Sequence, residues 1–187
     1  MQNILSIPPL RAPENEENPT LNVVIAYEDF EMGKQGKNTY DRLVDQLSHE
    51  FKFSSHMWKF DVLTVPKLKE MAARDAAMAD IIIIAAHGDA ELPVAVKSWI
   101  EMALAEGIQA IGLVGLFDRN AAADNPCRVY LGSIAQMANL EFFSQPSDMS
   151  PTGPEETNKA ESAARSISIL SDSLESNRHI SRWGINE

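Results

Sequence analysis

In this 187-residue chain, three short polar segments hold the side chains best spaced to do chemistry together. The first, Glu28 to Thr39, opens with the carboxylates Glu28, Asp29 and Glu31 and closes with Gly36, Lys37, Asn38 and Thr39. The second is His87-Gly88-Asp89, followed by Glu91 and Pro93. The third, Asp118 to Asn125, begins with a carboxylate. Hard divalent cations take oxygen ligands, and an imidazole adds a transition-metal option. Glu28, Asp29 and Asp89 are therefore the expected metal ligands, on a rim shared with His87, Glu91 and Asp118. A histidine beside carboxylates can also act as a general base. Gly36, Asn38 and Thr39 suggest a different site: at a helix N-terminus, free backbone N–H groups and the helix dipole favour an anion. The bland reading of the same residues is a turn followed by a helix cap. They do not make a P-loop, because Glu31 stands where that motif needs glycine and Asn38 where it needs Ser or Thr. Cys127, in the first turn of an expected helix, is either a thiol with a lowered pKa or a packing residue.

These segments are chemically useful only if the elements between them bring them to one edge. LNVVIAY, Leu21 to Tyr27, is a short apolar run of the kind buried on both faces of a parallel sheet. Asn38 or Thr39 can then cap a helix whose stripe is Tyr40, Leu43, Val44, Leu47 and Phe51. A second strand is expected within His56 to Leu63. Thr64 and Pro66 open a helix with Leu68, Met71, Ala72 and Met78 on its inner side. Asp80 to Ala86, with four consecutive isoleucines, is the third strand. A helix from Pro93 buries Val96, Trp99, Ile100 and Ala103 and ends at Gly107. Ala110 to Phe117 is the fourth strand. Asn125 and Pro126 start a helix that turns Val129, Tyr130, Ser133, Ile134 and Met137 to one side. Leu140 to Ser144 is a fifth strand.

Strict alternation of strand and helix implies a parallel sheet covered on both faces. Right-handed crossovers make it doubly wound, an α/β three-layer arrangement of five strands in the order 2-1-3-4-5. In such sheets ligands bind outside the carboxyl ends of the strands, where all three polar segments should converge. Residues 1–20, rich in proline and glutamate, are expected to form an extended arm, and 21–144 the domain. Residues 145–187 form a polar extension with a helix over 161–174, and Trp183 and Ile185 are suited to docking on the domain.

The segment Pro93, Lys97, Trp99, Ile100, Glu101 resembles a helix of the NAD(P)H-dependent FMN reductases and flavodoxins, in which an apolar strand ends in a loop and then a proline. The resemblance covers about residues 21–144 and implies a flavodoxin-like fold with FMN held between the loops. On that implication Gly36, Asn38 and Thr39 cradle the phosphate, His87 and Gly88 contact the flavin, and Phe117 stacks on its ring. The chain departs from the family in its first segment, where Glu28, Asp29 and Glu31 would repel a phosphate. Response-regulator receivers are similar in their acidic residues after strand one. Here, however, Ala85, Ala86 and His87 replace the phosphoacceptor, and Ser144 and Gln145 replace the late lysine.

A formal net charge of -11 argues against nucleic acid and anionic membrane as partners. No apolar run reaches the length of about 18 residues that spans a membrane, and the N-terminus does not read as a signal peptide. With one cysteine, Cys127, no intramolecular disulfide forms, which fits a reducing, cytoplasmic compartment. The expected function is a non-catalytic regulatory or protein-interaction scaffold without a cofactor, binding a protein partner or itself. The alternative is an FMN-binding NAD(P)H-dependent oxidoreductase.

Overall fold

The computed structural model describes residues 18–118 and 120–146. The expected arm before residue 18, the helix over 161–174 and the docking of Trp183 and Ile185 lie outside the described residues. Nine elements alternate along the chain: β1 Thr20–Tyr27, α1 Phe30–Leu47, β2 Lys52–Lys59, α2 Pro66–Ala77, β3 Ile81–Ala85, α3 Val94–Glu106, β4 Gly112–Phe117, α4 Pro126–Ala138 and β5 Glu141–Pro146. A 3₁₀ turn, Phe60–Thr64, links β2 to α2. The strands form one parallel sheet in the order β2-β1-β3-β4-β5, a flavodoxin-like α/β arrangement.

The unbroken apolar runs follow from burial on both faces. Side chains alternate across a strand. Val24, Ala26, Ile82 and Ile84 pack with α2, α3 and α4 on one face. Val23, Ile25, Ile81, Ile83 and Ala85 pack with Met32, Leu43 and Leu47 of α1 on the other. All four isoleucines of β3 are buried. Each contributes about 1.5–3 kcal/mol relative to exposure, so β3 anchors both layers.

Four sequence expectations are corrected. Helix α1 begins at Phe30, eight residues before Asn38, with Asp29 as its cap. Gly33 and Gly36 are therefore helical residues. A Cβ on Gly36 would sit 2.7 Å from Cγ2 of Ile25, and one on Gly33 2.8 Å from the Tyr27 ring. Both glycines let α1 lie close against β1, a role that looks like a turn when only residue type is read. Strand β2 occupies Lys52–Lys59, earlier than His56 to Leu63; it is an edge strand, half exposed, and its apolar phase is weak. In α2 the inner face is Ala72, Ala73, Ala76 and Ala77, while Met71 and Met78 are exposed. In α4 it is Cys127, Leu131, Ile134 and Ala135, leaving Val129 and Met137 exposed. In both helices alanine or cysteine, small enough for close helix–sheet approach, takes the inner position and the larger apolar side chains turn outward.

The remaining boundaries hold. Pro66 starts α2, although its cap is Val65 without a side-chain bond. Gly107 ends α3 in the left-handed conformation (φ 89°). The Asn125 side chain accepts from the backbone N–H of Arg128 (2.8 Å) just before Pro126.

Candidate functional site

The carboxyl ends of β1, β3 and β4 lie side by side, so the residues following each strand meet. Glu28 extends the β1–β3 pairing by one hydrogen bond, its N–H donating to the carbonyl of Ala85 (2.9 Å). Ala86 N–H likewise donates to Leu116 (3.0 Å) and Asp118 N–H to His87 (3.2 Å). These backbone bonds carry the sheet register into the loops and fix where the side chains start.

His87 sits at the centre. Its backbone N–H donates to Oε2 of Glu28 (2.8 Å). Its ring Nδ1 lies 2.7 Å from Oδ2 of Asp118, and Nε2 lies 2.9 Å from Oδ2 of Asp29. With a carboxylate at each nitrogen, both ring nitrogens donate, which requires the imidazolium. The hydrogen bond to Asp29, then that to Asp118, raises the His87 pKa from 6.5 to about 9. Asp29 has a second task. Its Oδ1 accepts from the N–H of Met32 (3.0 Å), capping α1. That backbone bond first, and the bond to His87 second, hold its carboxyl below the usual value. One charged imidazole thus clasps the loops after β1, β3 and β4.

This geometry decides among the chemistries expected from sequence. In this arrangement both ring nitrogens of His87 are engaged by carboxylates, so neither offers a free lone pair. Among the described residues no three His, Cys, Asp or Glu side chains gather as a metal group, so Glu28, Asp29 and Asp89 do not form the expected ligand set. Glu28 and Asp29 are instead turned onto His87, and Asp89 lines a cleft that His87 and Asp118 also border.

The flavin residues are not assembled either. Gly36, Asn38 and Thr39 lie inside α1, where Thr39 Oγ1 donates to the carbonyl of Gln35 (3.1 Å). The real N-terminus of α1 is filled by the Asp29 carboxylate, with Glu28 before it and Glu31 in the first turn. A phosphate there would meet carboxylates in place of free N–H groups. Phe117 is fully buried in the core beneath the Arg128 guanidinium, 5.4 Å from its ring centre, and presents no face to a ligand. Gly88 is buried at φ 84°, and a Cβ there would lie 3.2 Å from Phe117, so glycine is needed for the turn. The residues present do not fit FMN. Lys97 of the Pro93–Glu101 helix bonds Glu91 (2.6 Å) and lies 5.3 Å from the Tyr130 ring centre.

An open cleft of about 430 Å³ lies beside the clasp, lined by His87, Gly88, Asp89, Asp118, Asp124 and Asn125 among others. Cys127 follows the lining residue Pro126 and is buried. Its thiol donates to the carbonyl of Ala90 (3.0 Å), and burial, then nearby carboxylates, pushes its pKa up to about 11. That excludes the lowered value considered from its place in the helix.

What sequence reading missed was the capping role of Asp29. The signal was present: an N-cap residue, a glutamate in the first turn, and apolar residues continuing the stripe back to Met32.

No protein-family model matches the chain. No curated protein matches it. Among solved structures it is similar to the rubredoxin oxygen:oxidoreductase of the anaerobe Desulfovibrio gigas, with a TM-score of 0.50 and 13% identity, over 85% of this chain. The chain spans 38% of that protein's length. At that identity the likeness is one of fold. Among the described residues no helix is long and apolar enough to cross a membrane.

Proposed function

We propose that this flavodoxin-like domain is a non-catalytic binding scaffold, regulatory or protein-interacting, whose strand-end rim is closed by charge. The supporting observation is the bridge from Asp29 through His87 to Asp118, with Glu28 on the His87 backbone. In a sheet of this topology that edge is where a ligand would enter. Here Glu28, Asp29, His87 and Asp118 are spent on one another. The scaffold takes a protein partner or a second copy and works in the cytoplasm, a placement that rests on its acidic charge and single cysteine.

The competing reading is an FMN-dependent oxidoreductase. It draws on the fold likeness to a protein named as an oxidoreductase and on the Pro93–Glu101 helix. Titration of the full chain with FMN separates the two. A ligand at about 100 times its dissociation constant adds about 2.7 kcal/mol to stability. The scaffold reading expects a colourless preparation, no saturable quenching of flavin fluorescence and no change in the urea midpoint. Saturable quenching with a matching rise in midpoint overturns it.

A further inference from the structure

Two depressions run into one another beside the clasp. The acidic cleft described above shares Asp124 and Pro126 with a second groove, of about 470 Å³, between α3 and α4. Leu92, Val129 and Tyr130 give the second groove apolar walls beside the Lys97–Glu91 ion pair. Val129 in that wall is 60% exposed. In the cleft the only cation among the described lining residues is His87, and it is engaged by Asp29 and Asp118. Asp89 and Asp124 are left facing solvent. Carboxylates with no ion pair among the described residues, continuous with a partly apolar groove, suit a peptide that carries both guanidinium groups and an aromatic ring.

We propose that the occupant is the chain's own segment Arg178 to Trp183. It contains Arg178, His179, Arg182 and Trp183 and no acidic residue, in a chain of net charge -11. The topology delivers it to the right edge. All strands are parallel, so β5 ends where the cleft opens, and Pro146 pairs with Phe117, the neighbour of Asp118. Adjacent strands lie about 4.8 Å apart, so the chain leaves the sheet beside the cleft wall. Thirty-one residues separate Pro146 from Arg178, and at up to about 3.3 Å per residue they reach well past both depressions. Tethering makes the capture intramolecular, so individually weak contacts suffice. In charge, Arg178 and Arg182 complement Asp89 and Asp124, and in polarity the Trp183 indole complements Leu92, Val129 and Tyr130. This goes beyond the scaffold reading, since it assigns an occupant and holds whether or not flavin binds; a competing partner would have to displace the segment.

The test uses the full chain labelled with 5-fluorotryptophan, whose Trp183 resonance is identified by Trp183→Phe. A nitroxide is placed on Asn120→Cys, at the cleft rim, or on Gln109→Cys, at the opposite edge of the sheet, each with Cys127→Ala. The expected result is a Trp183 signal broadened by the rim label and not by the opposite one. Arg178→Glu with Arg182→Glu, and separately Asp89→Asn with Asp124→Asn, should reduce the rim effect to that of the Gln109 control. Unchanged Trp58 and Trp99 signals verify that each variant is folded. Equal effects from the two labels, or a rim effect indifferent to both sets of charge changes, overturns the proposal. So does broadening that grows with protein concentration, which would assign the groove to a second copy.

Discussion

Replacing His87 with glutamine removes the charge at the centre of the clasp and keeps an amide able to bond one carboxylate. The folded pKa of His87, about 9, lies above the unfolded value of 6.5. A raised pKa means that the folded state holds the proton more tightly. Its stabilisation is complete below about pH 6.5 and is lost as pH rises through about 9. At about 1.4 kcal/mol per pH unit, the interval corresponds to roughly 3.5 kcal/mol at most. Solvent reduces it. The His87 side chain is 28% exposed, Asp29 48% and Asp118 42%. Screening of carboxylates that open leaves about 1–2 kcal/mol. The acid arm has the opposite sign. The depressed Asp29 carboxyl stabilises the fold above 3.8 and ceases to do so as pH falls through its lower folded value. The assay is urea unfolding of the native chain and of His87→Gln at several values between about pH 6 and about pH 9.5. The native chain should lose about 1–2 kcal/mol across that window and the variant should be nearly flat, with equal m-values. Parallel curves for the two proteins would refute the assignment of His87 as a charged bridge.

Two further outcomes follow from the packing. Gly36→Ala should lower stability by up to about 2 kcal/mol in urea melts, because overpacking costs about 1–3 kcal/mol and alanine recovers about 1 through helix propensity. The stiff Ile25 side chain, fully buried 2.7 Å from the new Cβ, cannot swing away; a stabilising effect would show that α1 moves off β1 freely. The Cys127 thiol should react with a disulfide reagent at about pH 8 only as fast as the chain opens, and at once in urea, since its pKa is pushed up to about 11. Reaction of the native protein at the rate of a free thiol would contradict its bond to Ala90.

The order of elements was legible from residues alone, because a parallel strand covered on both faces must be apolar at successive positions, as Ile81 to Ile84 are. The ends of α3 and the start of α4 were legible for a similar reason. Gly107 takes a backbone conformation that other residues avoid, and Asn125 before Pro126 is a local cap. The failures share a physical origin as well. Gly36 was read as a turn because composition reports that glycine lacks a side chain, not whether the space it leaves is filled by solvent or by Ile25. Small inner residues such as Ala73 and Ala76 were passed over for Met71 and Met78, because hydrophobicity was weighed without the distance between helix and sheet.

At the rim the division is sharper. The sequence by itself determined that Glu28, Asp29, His87 and Asp118 follow three strands and share an edge, since topology alone carries them there. Only the tertiary structure decided their protonation and partners. A histidine between two carboxylates is a base, a ligand or a cation according to differences of an ångström in where they point, and those follow from where α1 starts. By beginning at Phe30 and taking Asp29 as its cap, α1 aims that carboxylate at His87 and fills its own N-terminus, which residue types alone had left open to a phosphate.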